Sequence, residues 1–172
     1  KRYGIVKDDY ELIKMAVLKA ADENDIVLIN AGSSAGREDF TSEVISEVGE
    51  LIIHGVAIKP GKPVMMGRVK NKPIIGIPGY PVSAYFVMEE IAKKLILSCQ
   101  GLKDAESKTV EAVLTKRVMS SLKYHEFVRV KLGYVDGKYI AAPLARGAGA
   151  TMSLVKADGV LEIEQSIEGI EA

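Results

Sequence analysis

Cysteine, histidine and tryptophan are nearly missing from this chain. One cysteine, Cys99, stands in 172 residues, which excludes an intrachain disulfide and any cysteine-rich zinc site; it is expected as a buried thiol near a helix end. The two histidines, His54 and His125, lie far apart without the spacing of a metal pair, and both are expected to be structural. Neither charge is in excess, with 23 basic and 23 acidic side chains, so no global field draws in nucleic acid or an acidic membrane surface. No apolar run reaches the ~20 residues needed to span a bilayer. The first residues, Lys1-Arg2-Tyr3-Gly4-Ile5-Val6, lead into no apolar stretch and cleavage site of a secretory leader. The expectation is a cytoplasmic protein with no nucleic-acid and no membrane partner. No Ser–His–Asp or Cys–His arrangement is evident and no Gly-x-Gly-x-x-Gly follows a strand, which argues against a protein nucleophile and against a dinucleotide enzyme.

What is present is apolar residue, 48% of the chain, enough for one large or two small cores. Tyr3-Gly4-Ile5-Val6 reads as the end of a strand, and Asp8 or Asp9 as the cap of a helix. Leu12, Ile13, Ala16, Val17 and Ala20 recur at helical spacing, predicting that helix, amphipathic, over 10–21. A strand over 25–29, a loop and a helix from about 40 to 47 continue a β-α-β-α pattern, the mark of a parallel sheet covered by helices. Strands are predicted at 50–53, 64–69 and 73–77, the last two joined by the turn Lys70-Asn71-Lys72. Pro81 suits the first position of a helix reaching about residue 97, with Phe86, Val87, Ile91 and Leu95 inward and Glu89→Lys93 and Glu90→Lys94 outward. Residues 99–107 are polar and aperiodic, and beyond them the apolar period changes to two. Asp136-Gly137 predicts a hairpin with its return strand at 138–142, and Asp158-Gly159 a second turn before a strand at 160–163. The division expected is an α/β unit over 1–100 and a small all-β unit, a barrel or sandwich, over 107–172.

Three polar loops leave the carboxyl ends of predicted strands, where open α/β sheets bind ligands. The first, Ala31-Gly32-Ser33-Ser34-Ala35-Gly36-Arg37-Glu38-Asp39, combines close backbone approach, hydroxyl donors and a helix start, which suits an anion. Asp39 beside a bound phosphate makes sense when a cation lies between them, which implies Mg²⁺; the plainer reading is a glycine turn capped by Asp39. In Lys59-Pro60-Gly61-Lys62-Pro63 the prolines and glycine fix where two ammonium groups point, which suits an oxyanion; the alternative is a solvated turn. Pro78-Gly79-Tyr80-Pro81 running into Ser83 offers a further helix start, or merely a rigid connection.

Taken in order, Gly-Ser-Ser-Ala-Gly-Arg-Glu-Asp-Phe-Thr, His-Gly-Val-Ala-Ile-Lys-Pro-Gly-Lys-Pro and Gly-Ile-Pro-Gly-Tyr-Pro-Val-Ser-Ala resemble the MoeA-type molybdopterin molybdotransferases, which include the C-terminal part of gephyrin. The resemblance covers residues 3–97 well and 108–163 more loosely. It implies a three-layer, helix-covered, mostly parallel sheet of the molybdopterin-binding type followed by a small all-β barrel-like domain. It also implies the reaction: molybdenum insertion into adenylylated molybdopterin, using molybdate and Mg²⁺ and releasing molybdenum cofactor and AMP. By the same resemblance Gly32, Ser33, Ser34 and Gly36 hold the ligand, Asp39 is the functional acid and metal ligand, Lys59 and Lys62 stabilise molybdate or phosphate charge, and Gly79, Pro81 and Ser83 line the cleft. The family pattern has glycine where Ala31 stands, asparagine at Tyr80, and often an arginine and a serine near Tyr124 and Ala148. Family members have preceding domains and form homodimers through the full-length protein, so the chain resembles a C-terminal fragment, expected to be inactive alone. The alternatives are a non-catalytic molybdopterin-binding or scaffold module and the related molybdopterin adenylyltransferase.

Overall fold

The structure is a computed structural model and describes residues 1–31, 40–105 and 107–172. Helix α1 (Tyr10–Glu23) starts where Asp9 Oδ1 accepts the Leu12 amide at 3.0 Å. After it come β1 (Val27–Ala31), α2 (Thr41–Val48), β2 (Gly49–His54), β3 (Ile58–Lys59), β4 (Met65–Val69) and β5 (Lys72–Pro78). A continuous helical rod then runs through α3 (Pro81–Val87), a π-helical turn at Met88–Ala92 and α4 (Lys93–Cys99), with Pro81 in its first turn. Lys93 and Lys94 meet Glu89 and Glu90 on its outer face at 3.3 and 2.7 Å.

The first sheet has the order β1-β5-β4-β2. It is mixed: β1 pairs β5 in parallel, while β4 pairs both β5 and β2 antiparallel. The expected mostly parallel sheet is corrected by the turn at Lys70-Asn71, where both residues have positive φ (50° and 61°). That is the type I′ geometry that folds a strand directly back on its neighbour, leaving no crossover. Alternate residues of β5 feed opposite faces. Ile74 packs with Val17, Ala20, Val44, Ile45 and Val69 beneath α1 and α2, and Ile75 and Ile77 pack with Val64, Val87 and Ala92 beneath the helical rod. The predicted strand at 3–6 does not form; Tyr3 instead donates to Glu23 at 2.7 Å and packs on the α1 side. Cys99 is exposed, not buried, because the last helical turn carries no buried residue.

The second sheet has the order β10-β8-β9-β6, from β6 (Ala112–Leu114), β8 (His125–Val135), β9 (Lys138–Pro143) and β10 (Gly159–Ile163). The Asp136-Gly137 hairpin between β8 and β9 forms as expected, with φ of 48° and 80°. The barrel does not: among the described residues the sheet stays open, and β7 (Val118–Met119) pairs β11 (Gly169–Ile170) separately. The unit is also not all-β, since α5 (Thr151–Lys156) precedes β10. Asp158-Gly159 is therefore no hairpin turn. Asp158 accepts from Lys131 Nζ at 2.7 Å and from the Leu132 amide at 2.9 Å, which ties β10 to β8 and holds its carboxyl below the usual carboxylate range.

The two units are stitched together by backbone. Strand β3, from the first, pairs in parallel with the start of β8, Ile58 opposite His125 and Lys59 opposite Glu126, and the His125 amide donates to Ala57 at 2.8 Å. Phe86 of α3 stacks on Phe127 of β8, centroids 5.0 Å apart. This explains why β8 is buried on both faces from Glu126 to Val130: Val128 and Val130 face the sheet's own core, and Phe127 faces α3. No helix among the described residues is long and apolar enough to cross a membrane.

Candidate functional site

The lysine turn sits where the units join. Its backbone closes on itself: the Val64 amide donates to Gly61 at 3.2 Å, Val56 to Lys62 at 3.0 Å and Gly55 to Val64 at 2.8 Å. The Lys59-Pro60 bond is cis. Gly61 adopts φ +120°, and a Cβ there would lie 2.8 Å from Ile58 Cδ1 and 3.2 Å from Val87 Cγ2, so only glycine fits. The turn is thereby pressed against α3, and its two ammonium groups stay at the surface. Lys59 Nζ donates to Ser121 Oγ at 2.9 Å. The Tyr124 ring lies beneath both lysines, 6.0 Å from Lys59 Nζ and 5.7 Å from Lys62 Nζ, within reach of cation–π attraction.

Behind the lysines is a buried carboxylate. Glu126 is 1% exposed. Its Oε1 accepts the Ser121 amide at 2.7 Å and lies 3.8 Å from Lys59 Nζ, and its Oε2 accepts from Arg146 Nη2. A second buried charge, Arg129, organises the neighbouring loop. Arg129 Nε donates to Ser153 Oγ at 2.8 Å and Nη2 to the Ala145 carbonyl. Burial lowers its pKa from the ordinary arginine value, yet a guanidinium titrates so high that it stays cationic. Arg129 thus fixes both ends of the 145–153 segment that carries Arg146.

The other expected residues fare differently. Gly32, Ser33, Ser34, Gly36 and Asp39 lie outside the described residues, and the residue before α2 that acts as its cap is Phe40, without a side-chain cap bond. Gly79 and Pro81 are exposed, and Ser83 is buried at 5%. The start of α3 is not an open set of donors either, since the Val82 amide donates to the Ala148 carbonyl at 3.1 Å. His54 is exposed, while His125 stacks on Phe127 at 4.8 Å and meets Glu162 at 3.3 Å. Sequence reasoning does not find Ser121, Glu126 or Arg146. The signals it could have used are an acid inside the apolar alternation of β8 and one arginine in the small-residue run Arg146-Gly147-Ala148-Gly149-Ala150.

A model described as "Probable molybdopterin binding domain" matches residues 1–98, and one for the MoeA C-terminal region matches 111–172. The chain belongs to the MoeA family. It is 37% identical over 171 residues to a Methanocaldococcus jannaschii protein named for molybdopterin biosynthesis, covering 99% of this chain and 40% of that one. It is 33% identical to the molybdopterin molybdenumtransferase of Synechocystis, covering 96% and 40%. The crystal structure of the molybdopterin biosynthesis MoeA protein of Pyrococcus horikoshii superposes with a TM-score of 0.78 at 36% identity, over 98% of this chain and 40% of that one. This MoeA chain therefore spans about two fifths of the length of these relatives. Its family places it in molybdenum cofactor biosynthesis.

Proposed function

We propose that this MoeA chain supplies the pterin- and oxyanion-binding part of a molybdopterin molybdenumtransferase, which inserts molybdenum from molybdate into adenylylated molybdopterin and releases AMP. The observation that carries the proposal is the lysine turn: two exposed ammonium groups on a backbone fixed by Gly61, at the contact between the two matched segments. In this reading Lys59 and Lys62 hold the oxygens of molybdate or of the substrate's phosphate by charge-assisted hydrogen bonds. Gly79 and Pro81 border the same ligand. Gly32, Ser33, Ser34, Gly36 and Asp39 are assigned to it on the order of the motifs alone, and the division into 1–100 and 107–172 on the change of period. The match of residues 111–172 to the MoeA C-terminal region favours this reading over an adenylyltransferase.

Mg²⁺ seeks near-octahedral oxygen from one or two carboxylates and substrate phosphates. Among the described residues no group of three or more His, Cys, Asp or Glu could hold a metal ion, and both oxygens of Glu126 already have partners. Asp39, the carboxylate that the order of the motifs assigns to Mg²⁺, lies outside the described residues. The proposal is tested by calorimetric titration of the chain with AMP, the nucleotide half of the substrate. Saturable binding that weakens as salt is raised is the expected result; no saturable binding contradicts the reading.

A further inference from the structure

One buried carboxylate engages a cation from each side of the junction. The Glu126 side chain is 2% exposed, with Lys59 of β3 against Oε1 and Arg146, which lies beyond β9, against Oε2. Arg146 Nη1 also donates to the Met119 carbonyl, and Lys59 Nζ to Ser121 Oγ. Neither cation is consumed by these contacts, since the Lys59 side chain is 54% exposed and that of Arg146 40%. The described bonds of Arg146 engage two of a guanidinium's five N–H donors. Burying a carboxylate is costly, and a buried ion pair often stabilises no more than apolar residues in its place. What Glu126 provides is geometry: two cations from different units are held against one point.

We propose that Glu126 is a positioning residue that holds Lys59 and Arg146 together as one seat for a tetrahedral oxyanion, and that Arg146 is a binding residue of that seat. The inference rests on the functional reading above and extends it to the C-terminal unit. Lys59 and Arg146 flank one carboxylate, and Lys62 shares the Tyr124 ring with Lys59, so three cations against one carboxylate leave an excess of positive charge for a dianion. The orientation of the two held cations depends on Ser121, on Glu126 of β8 and on the Met119 carbonyl of β7.

Sign separates this proposal from simple charge counting. Glu126→Gln removes a negative charge next to the anion, so charge alone makes molybdate bind more tightly. Loss of positioning makes it bind more weakly. Molybdate titrated calorimetrically into the chain is expected to show Kd raised at least about fivefold in Glu126→Gln, because small misplacement of binding groups is costly. Arg146→Met is expected to weaken binding by a similar factor, and Arg146→Lys, which keeps the charge, to recover part of it. Unchanged or tighter binding in a folded Glu126→Gln overturns the positioning role. Should that variant fail to fold, the exposed Arg146 decides: unchanged affinity in Arg146→Met, or no recovery in Arg146→Lys, overturns the seat. Molybdate binding that depends on Lys59 but not on Glu126 or Arg146 overturns this inference alone. A wild-type chain that does not bind molybdate, or binds it equally after Lys59→Met, overturns the functional reading with it.

Discussion

Replacing Lys59 and Lys62 together with methionine removes oxyanion binding and leaves the chain folded. Hydrogen bonds to charged groups contribute roughly 1.5–3 kcal/mol each, so losing two lowers affinity for molybdate or AMP by at least about a hundredfold. The cost to folding is far smaller. Lys59 is 54% exposed and its 3.8 Å approach to Glu126 is solvent-screened. Glu126 keeps the Ser121 amide and Arg146, and methionine keeps most of the apolar stem. A change of about 1 kcal/mol or less is expected. Calorimetry and a thermal melt on the same sample separate the two effects. Undiminished affinity would return the turn to a solvated loop, and affinity lost together with the fold would mean the lysines act through stability.

Phe86→Ala is expected to be the most damaging single change to stability, at about 3–5 kcal/mol. Phe86 is 2% exposed and stacks on Phe127, itself 6% exposed, with an interplanar angle of 18°. The pair packs with Val82, Ile58 and Leu154, which come from both units. Stacked rings add about 0.5–1.5 kcal/mol beyond burial. The seam also holds β3 against β8, so the variant should lose oxyanion affinity as well as stability. Urea unfolding should show one transition moved to lower denaturant. A shift worth under about 1 kcal/mol, or a second transition that the mutation leaves untouched, would mean that the two units do not depend on this seam.

How much of the fold and the site is legible in the sequence depends on where the information lies. Local chemistry is readable: Asp9 as a cap, Pro81 opening α3, the Asp136-Gly137 hairpin and the Glu89–Lys93 and Glu90–Lys94 pairs all obey short-range rules. The expectation of a parallel sheet went too far, because a β-α-β-α opening says nothing about β4, whose direction is fixed by two positive-φ residues at Lys70-Asn71. The barrel and the second turn at Asp158 failed for a related reason. Helix α5 has six residues, too few for periodicity, and Asp158 spends its oxygens on Lys131 and Leu132 across the sheet. At the candidate site the two lysines stand out because proline and glycine flank them. Glu126 and Arg146 do not, since nothing local marks a charge whose partner lies on another strand. Strand β3 is two residues long and pairs with a segment more than sixty positions away, a contact invisible to any window of neighbouring residues.

The central claim is that the lysine turn and the β8 edge form one oxyanion seat. Its most direct measurement is a crystal of this MoeA chain grown with molybdate and read by molybdenum anomalous diffraction. The account predicts one strong peak whose oxygens lie within hydrogen-bond reach, about 2.7–3.2 Å, of both Lys59 Nζ and Lys62 Nζ, with Arg146 turned toward it. An ordered molybdate bound elsewhere, with the lysine turn left to solvent, would contradict it.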